Sequence, residues 1–60
     1  MNKEFINLYD DEGHIYIVNI NNISVIDVDG LIVWSRDGSN LEIHGESMQR
    51  LLNRLAGDAE

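Results

Sequence analysis

Apolar and polar residues alternate along most of the chain, and this pattern predicts short β-strands. The alternating segments are rich in Ile, Val and aromatic residues, and clusters of Gly, Asn and Asp separate them. We predict strands over residues 4–9, 14–20, 23–28, 31–36 and 39–44, and a helix over 46–56. The predicted fold class is therefore α+β: an antiparallel meander of four to five short strands with one C-terminal amphipathic helix packed on one sheet face.

The period changes at the C-terminal end, where four apolar residues are spaced three and four apart: Met48, Leu51, Leu52 and Leu55. This spacing places them on one stripe of a helix. Gly45 or Ser47 is expected to cap its start, and Glu46 suits the positive end of the helix dipole. The helix thus has one apolar face with which to cover the sheet.

Asp37-Gly38 lies between two alternating segments and predicts a two-residue type I′ hairpin turn, which needs positive φ at both central positions. Folding the strands about this turn sets Trp34 against Leu41 and Ile32 against Ile43. Apolar residues then face each other, whereas a shift of one residue would set them against polar partners.

Applying the same reasoning to Asp29-Gly30 and to a four-residue loop over 10–13 sorts the strand residues into two faces. Pairing about Asp29-Gly30 sets Ile26 against Val33 and Val25 against Trp34. The face expected beneath the helix contains Ile6, Leu8, Ile15, Ile17, Ile23, Val25, Ile32, Trp34, Leu41 and Ile43.

The opposite face is predicted to be apolar as well, which is unusual for an antiparallel sheet with one solvated side. An eleven-residue helix is roughly 16 Å long and covers one face only. We therefore expect a second copy of the chain to cover the other face, most simply as a dimer; the alternative is a half-barrel in which the two hairpins cover each other. The predicted oligomer interface consists of Phe5, Tyr9, Tyr16, Val18, Ile26, Val28, Leu31 and Val33.

Composition narrows the range of partners. The 60-residue chain carries a net charge of −7 and only four basic residues, so direct binding to nucleic acid or to an anionic membrane is disfavoured. Another protein is the expected partner. The chain contains no Cys, its N-terminus lacks signal-peptide character, and no apolar run approaches the ~20 residues that span a bilayer. We expect a cytoplasmic protein.

No motif indicates catalysis, a metal or a cofactor. Asp10–Gly13 and Asp27–Gly30 place carboxylates on turns, but neither has the spacing of an EF-hand loop, and ordinary turn chemistry explains both. His14 and His44 lie on different hairpins and are expected to be exposed strand-end residues. The Ser residues lack the context of a nucleophile elbow. We therefore predict a non-enzyme without cofactors or metal.

Gly13, Asn21-Asn22-Ile23, Asp37-Gly38 and Glu46-Ser47 occur in an order that resembles the small flagellar proteins of the FlbD type, over roughly residues 5–55. This resemblance implies the same strand-and-helix layout and a role as a small accessory protein. The Arg-Leu-Asn-Gly opening of that family is replaced here by Leu8-Tyr-Asp-Asp-Glu-Gly13. The pattern is also similar to a shortened LytTR-type domain, a basic DNA-binding module whose function the acidic charge opposes.

Three functions agree with these features. The first is a homo-oligomeric accessory or regulatory protein that acts through protein–protein interaction. The second is an acidic inhibitor, of the kind that phages or mobile elements make, which occupies a basic nucleic-acid-binding site on a host protein. The third is direct nucleic-acid binding through the sheet and Trp34, which the scarcity of basic residues disfavours.

Overall fold

A computed structural model describes residues 4–57, which form five strands, a short 3-10 helix and one α-helix. The strands are β1 (Phe5–Tyr9), β2 (Ile15–Asn19), β3 (Ile23–Asp27), β4 (Ile32–Ser35) and β5 (Asn40–Glu42); the 3-10 helix spans Ile20–Asn22 and α1 spans Gly45–Gly57. The predicted α+β class is confirmed, and each predicted element is present within a few residues of its expected bounds.

The strands divide into two antiparallel sheets. β1 pairs with β2 in a two-stranded sheet, and β3, β4 and β5 form a three-stranded sheet in that order. Between them, the Asn19 side chain accepts a hydrogen bond of 2.9 Å from the Asn21 backbone and starts the 3-10 helix. Asn21-Asn22, which lies between two of the predicted strands, is therefore the point at which the chain leaves one sheet and enters the other.

The β1–β2 and β4–β5 hairpins close with the same kind of loop. In each, the N–H of a glycine bonds back across a turn, from Gly13 to the Asp10 carbonyl at 3.1 Å and from Gly38 to the Ser35 carbonyl at 3.0 Å. Both glycines have positive φ, 89° and 93°. This geometry is that of a three-residue loop, in which a turn is followed by one left-handed residue.

These loops move the strand register one residue from the predicted one. The type I′ turn predicted at Asp37-Gly38 is wrong, because Gly38 has positive φ and Asp37 does not. Val33 consequently pairs with Leu41, and Trp34 pairs with Asn40. The first hairpin is also displaced by one residue, but in the opposite direction, because its loop has three residues and not the predicted four. Leu8 pairs with Tyr16, where we expected Ile15.

The β3–β4 hairpin has the predicted register, with Ile26 opposite Val33 and Val25 opposite Trp34. Its turn differs from expectation, because Leu31 and not Gly30 has positive φ, at 59°. The Asp27 carboxylate accepts a hydrogen bond from the Gly30 N–H at 3.0 Å, and the Leu31 carbonyl accepts one from the Ile43 N–H at 2.8 Å. These contacts hold an unusual backbone conformation for a branched residue.

The core lies between both sheets and the helix, and its buried residues come from all three: Ile6, Leu8, Val33, Ile43, Met48 and Leu51. Seven partly buried residues pack against them: Val18, Ile20, Ile23, Ile26, Leu31, Leu41 and Leu52. The two hairpins therefore share one core. This arrangement agrees with the half-barrel alternative more closely than with a single flat sheet.

The predicted division of residues between two faces needs correction in both displaced hairpins. Val33 was expected on the face away from the helix, yet it is 2% exposed and lies in the core. Trp34 was expected beneath the helix, yet it is 38% exposed. Because neighbouring residues of a strand point to opposite faces, a shift of one residue reverses the assignment.

The same correction applies to the remaining misassigned residues. Val18, Ile26 and Leu31 were placed on the outer face and pack against the core, whereas Val25, Ile15 and Ile17 were placed beneath the helix and are exposed.

The free edge of β1 is joined to the start of α1 by three hydrogen bonds. The Tyr9 N–H donates to the buried Ser47 hydroxyl at 2.9 Å, and the Tyr9 carbonyl accepts from the His44 N–H at 2.8 Å. The Arg50 guanidinium donates to the Asn7 carbonyl at 2.9 Å. These bonds leave no room for another strand at this edge of β1.

His44, and neither Gly45 nor Ser47, caps the helix. Its Nδ1 accepts a hydrogen bond from the Glu46 N–H at 3.1 Å, and its carbonyl accepts one from the Met48 N–H at 3.0 Å. The first-turn N–H groups of a helix lack partners within the helix, and a side-chain acceptor satisfies one of them. Ser47 instead contributes its hydroxyl to the bond with Tyr9.

Replacing Val33 and Val25 by Ala tests the assignment of inner and outer faces. Val33→Ala is expected to lower the free energy of unfolding by about 1.5–3 kcal/mol, because a fully buried side chain is truncated. Val25→Ala, at a position 56% exposed, should lower it by less than about 1 kcal/mol. Urea denaturation of both variants measures the difference. Equal losses would contradict the register described here.

Replacing the loop glycines by Ala tests the two three-residue loops. Gly13→Ala and Gly38→Ala should each lower the free energy of unfolding by about 1–2 kcal/mol, because an L-residue is strained at positive φ. Gly45→Ala is the matched control: this glycine opens α1, and no atom lies within 4 Å of an added Cβ. The control should be neutral or stabilising in urea denaturation. Unchanged stability in the two loop variants would rule out the loop geometry.

Candidate functional site

The eight residues predicted to form an oligomer interface do not share one surface. Val33 is buried, and Val18, Ile26 and Leu31 pack against the core. Phe5 and Val28 are exposed, whereas Tyr16 is partly open to solvent beside the loop that joins β1 to β2. Tyr9 is partly buried and stacks on His44. In the single chain the predicted set is thus divided between the interior and the surface.

Five of the exposed apolar side chains lie on the outer faces of the two sheets. We call Phe5, Ile15 and Ile17 the hairpin face, and Val25 and Trp34 the Trp34 face. Ile15 and Ile17 are 69% and 70% exposed. They had been expected beneath the helix, and the shift of register explains why they face outward.

The Trp34 face has an apolar centre with polar neighbours. Val25, Trp34 and Asn40 lie side by side across the three strands, and the Trp34 carbonyl accepts a hydrogen bond from the Ser24 hydroxyl at 3.3 Å. The next row on the same face contains Asp27, Ile32 and Glu42. Two carboxylate residues, Asp27 and Glu42, therefore lie in the row next to that of Trp34 on this face.

A second candidate site lies at the end of the molecule that carries the β1–β2 loop. Four carboxylate residues and one apolar residue line an open concavity of about 280 Å³: Asp10, Asp11, Glu12, Glu42 and Ile43. The carboxylates come from the loop and from β5, so the fold concentrates negative charge from separate elements here. The sequence indicated an acidic turn at 10–13. It did not indicate that Glu42 of β5 would lie beside that turn.

Asp10 organises the loop beside this concavity. One carboxylate oxygen accepts hydrogen bonds from the N–H groups of Glu12 and His14 at 3.0 and 2.9 Å. The other lies 3.2 Å from His14 Nδ1 and accepts from the Tyr16 hydroxyl at 3.2 Å. Partial desolvation raises the pKa of Asp10, but these hydrogen bonds together outweigh it and leave the pKa below its ordinary value.

The tyrosines that donate to carboxylates are affected in the opposite direction. Desolvation, followed by the hydrogen bond to Asp10, raises the pKa of Tyr16. The hydrogen bond to Glu46, at 2.9 Å, raises the pKa of Tyr9. Both hydroxyls therefore stay protonated near neutral pH and act as hydrogen-bond donors. They are poorly suited to act as general bases.

Asp10, Glu12 and His14 are the group best placed to hold a metal ion. One ligand atom from each lies within 4.8 Å of the others. Both Asp10 oxygens already accept hydrogen bonds within the loop, and the Glu12 and His14 side chains are largely exposed. The turn chemistry predicted for this segment accounts for these contacts without an ion.

The two histidines have different environments and different partners. His14 lies beside Asp10 and Glu12 in the β1–β2 loop. His44 stacks on the Tyr9 ring, with centroids 5.7 Å apart, and its Nε2 is 4.0 Å from an Asp11 carboxylate oxygen. His44 had been expected to be an exposed strand end; it is a structural residue of the helix start.

Asp37 and the serines have structural contacts as well. The Asp37 carboxylate accepts hydrogen bonds from the Ser39 N–H at 2.9 Å and from the Ser39 hydroxyl at 2.7 Å. These bonds, first the one from the backbone, hold the pKa of Asp37 below its ordinary value. Ser39 closes a loop, and Ser47 anchors β1 to the helix, so both hydroxyls have structural partners.

Neither helical segment within residues 4–57 is long and apolar enough to cross a membrane. Comparison with protein-family models, with curated proteins and with solved structures finds no match for this chain.

Proposed function

We propose that this chain is a small non-enzymatic accessory protein that acts by binding another protein through the Trp34 face. The observation that supports the proposal is the exposed pair of Val25 and Trp34, which lie opposite each other on neighbouring strands. Their backbone positions belong to a paired sheet, so the two side chains are presented in a fixed arrangement before any partner binds.

The composition of this face matches that of a protein interface. Interfaces have an apolar centre, enriched in aromatic residues, and a polar rim that remains in contact with water. Trp is among the residues that contribute most to binding, because it buries a large area and loses little side-chain entropy. Here Trp34 is the centre, and Asn40, Asp27 and Glu42 are the rim.

Charge favours a partner with basic groups around an apolar cleft. Asp27 and Glu42 stand on the same face as Trp34, and the chain carries a net charge of −7. Complementary charge at the rim accelerates association and excludes acidic partners. The strand-and-helix layout also resembles that of FlbD-type proteins, and this resemblance implies an accessory role.

Truncating Trp34 tests this function. In capture from a lysate of the source cells, a partner that binds the wild-type chain should be lost with Trp34→Ala, because the anchor of the face is removed. Leu55→Ala is the matched control: Leu55 is an exposed apolar residue on α1. The control should retain the partner, and circular dichroism confirms that both variants fold. Equal recovery by Trp34→Ala would refute the proposal.

The acidic end favours a second function, that of an inhibitor which occupies a basic nucleic-acid-binding site on another protein. The supporting observation is that Asp10, Asp11, Glu12 and Glu42 line one open concavity. Clustered carboxylates attract a surface that evolved to bind phosphates, and salt screens the attraction.

This second function predicts competition with nucleic acid. The chain should displace a labelled oligonucleotide from the protein that it captures from the lysate. Fluorescence anisotropy measures this displacement, and added salt should weaken it. Asp11→Asn combined with Glu12→Gln should weaken it, because two charges of the acidic end are lost, whereas Asp29→Asn on the β3–β4 turn should not. Displacement that is insensitive to both salt and the double substitution would exclude this mechanism.

A further inference from the structure

β2 has a free edge. In the first hairpin, the Asp10 N–H donates to the His14 carbonyl and the Ile20 N–H donates to the Glu4 carbonyl. Hydrogen-bonded pairs alternate with non-bonded pairs along an antiparallel ladder. The backbone N–H and carbonyl groups of Ile15, Ile17 and Asn19 therefore point away from β1. Within residues 4–57, no partner is found for the backbone groups of Ile15 and Ile17 or for the Asn19 N–H; the Asn19 carbonyl belongs to the N-cap of the 3-10 helix and accepts its first hydrogen bond.

The other edges are protected by the devices that natural sheets use against unwanted pairing. The free edge of β1 is occupied by Ser47, His44 and Arg50. β3 has an irregular register between Ile23 and Val25, and β5 is only three residues long. β2 has neither an irregularity nor a charged residue: its sequence is Ile-Tyr-Ile-Val-Asn.

We propose that a second copy of this chain binds along the free edge of β2, in an antiparallel arrangement about a two-fold axis at Ile17. Ile17 then lies opposite Ile17 of the second copy, and Ile15 lies opposite Asn19 of the second copy. The Ile17 pair exchanges both N–H to carbonyl hydrogen bonds, and each Asn19 N–H donates to the Ile15 carbonyl of the other copy. The two hairpins become one four-stranded sheet. The dimer is independent of the Trp34 face and goes beyond the function proposed for it.

The side chains of β2 favour this pairing. Ile15 and Ile17 are about 70% exposed on the outer face. Residues opposite each other in an antiparallel pair approach to within about 5.5 Å, so the two Ile17 side chains contact each other and lose exposed area. The outer face of the dimer then carries Phe5, Ile15 and Ile17 of both copies on one continuous sheet.

Charge at the two ends of β2 is complementary in an antiparallel dimer. The end at Ile15 adjoins the acidic loop, in which Asp11 and Glu12 are largely exposed. The end at Asn19 adjoins the 3-10 helix, and Arg36 donates from its Nε to the Asn21 carbonyl there at 3.0 Å. Antiparallel pairing brings the acidic loop of each copy to the Arg36 end of the other. A two-fold axis makes this contact twice.

The charges at the two ends of β2 favour a second copy of the chain as the strand that pairs with this edge. The pairing segment is uncharged, with the acidic loop at one flank and Arg36 and Glu4 at the other. Asp11 and Glu12 of one copy therefore approach Arg36 of the other only when the second strand runs antiparallel. A basic peptide would match the acidic loop but would repel Arg36. The charge pattern thus favours the chain's own β2 over a peptide of one sign.

Sedimentation equilibrium over about 10 µM to 1 mM tests for the dimer. The wild-type chain should pass from a 6.8 kDa species to one of twice that mass as its concentration rises. Ile17→Lys should weaken dimerisation at least about tenfold, because two like charges would lie opposite each other. Leu55→Lys, at an exposed position on α1, is the matched control and should leave the dissociation constant within about threefold.

Amide hydrogen exchange locates the contact. The N–H groups of Ile17 and Asn19 should exchange more slowly as the dimer forms. The N–H of Ser24, on β3, should not change with concentration. Slowing at Ser24 with no change at Ile17 would place the dimer contact on another edge and overturn the proposal.

Exchanging charges tests the orientation. Arg36→Glu should weaken the dimer, and adding Glu12→Arg to it should restore affinity, because each contact then regains opposite charges. A purely local effect of Arg36 on the 3-10 helix would not be rescued from another loop. A chain that stays monomeric to about 1 mM, or a dimer unaffected by Ile17→Lys, would overturn the proposal. Neither result bears on partner capture through Trp34.

Discussion

The contact between the free edge of β1 and the start of α1 determines how the two halves of this protein are held together. Within residues 4–57, no backbone ladder joins the two sheets. The first hairpin is attached to the remainder by the bonds of Tyr9 to Ser47 and His44, and by the core that Ile6 and Leu8 share with the helix. Ser47 is fully buried, so the loss of its partner would leave a polar group unsatisfied in the interior. Of the three hydrogen bonds that join β1 to the start of α1, the one to the Ser47 hydroxyl therefore has the largest cost when it is broken.

Much of the fold follows from the sequence, because local signals and long-range packing agree there. The alternation of apolar residues locates every strand, and the three-to-four spacing of Met48, Leu51 and Leu52 locates the helix. The β3–β4 register also follows from the sequence. What fails is the choice of loop: an Asp-Gly pair fits both a two-residue turn and the end of a three-residue loop. The loops differ by one residue, and so do the registers.

The surfaces are less predictable than the fold, because they depend on that choice. With a two-residue turn, Trp34 lies beneath the helix and Val33 is exposed; with the observed loop, the two exchange places. Apolar residues occur at consecutive positions in β2 and β4, so hydrophobicity alone does not select a face. His44 as a helix cap was missed for another reason. The residues that usually indicate a helix N-cap are Ser, Thr, Asp and Asn, and His is not among them.

Leu31 shows that two requirements meet at one position and that no residue satisfies both. Its backbone has a φ of 59°, which favours glycine, while its side chain packs against the core. Left-handed strain costs about 1–2 kcal/mol for an L-residue. Burial of a leucine side chain contributes about 1.5–3 kcal/mol when complete, and here it is partial. The opposing terms are similar in size. Evolution can therefore exchange a tighter core for a relaxed turn at this residue with little net change in stability.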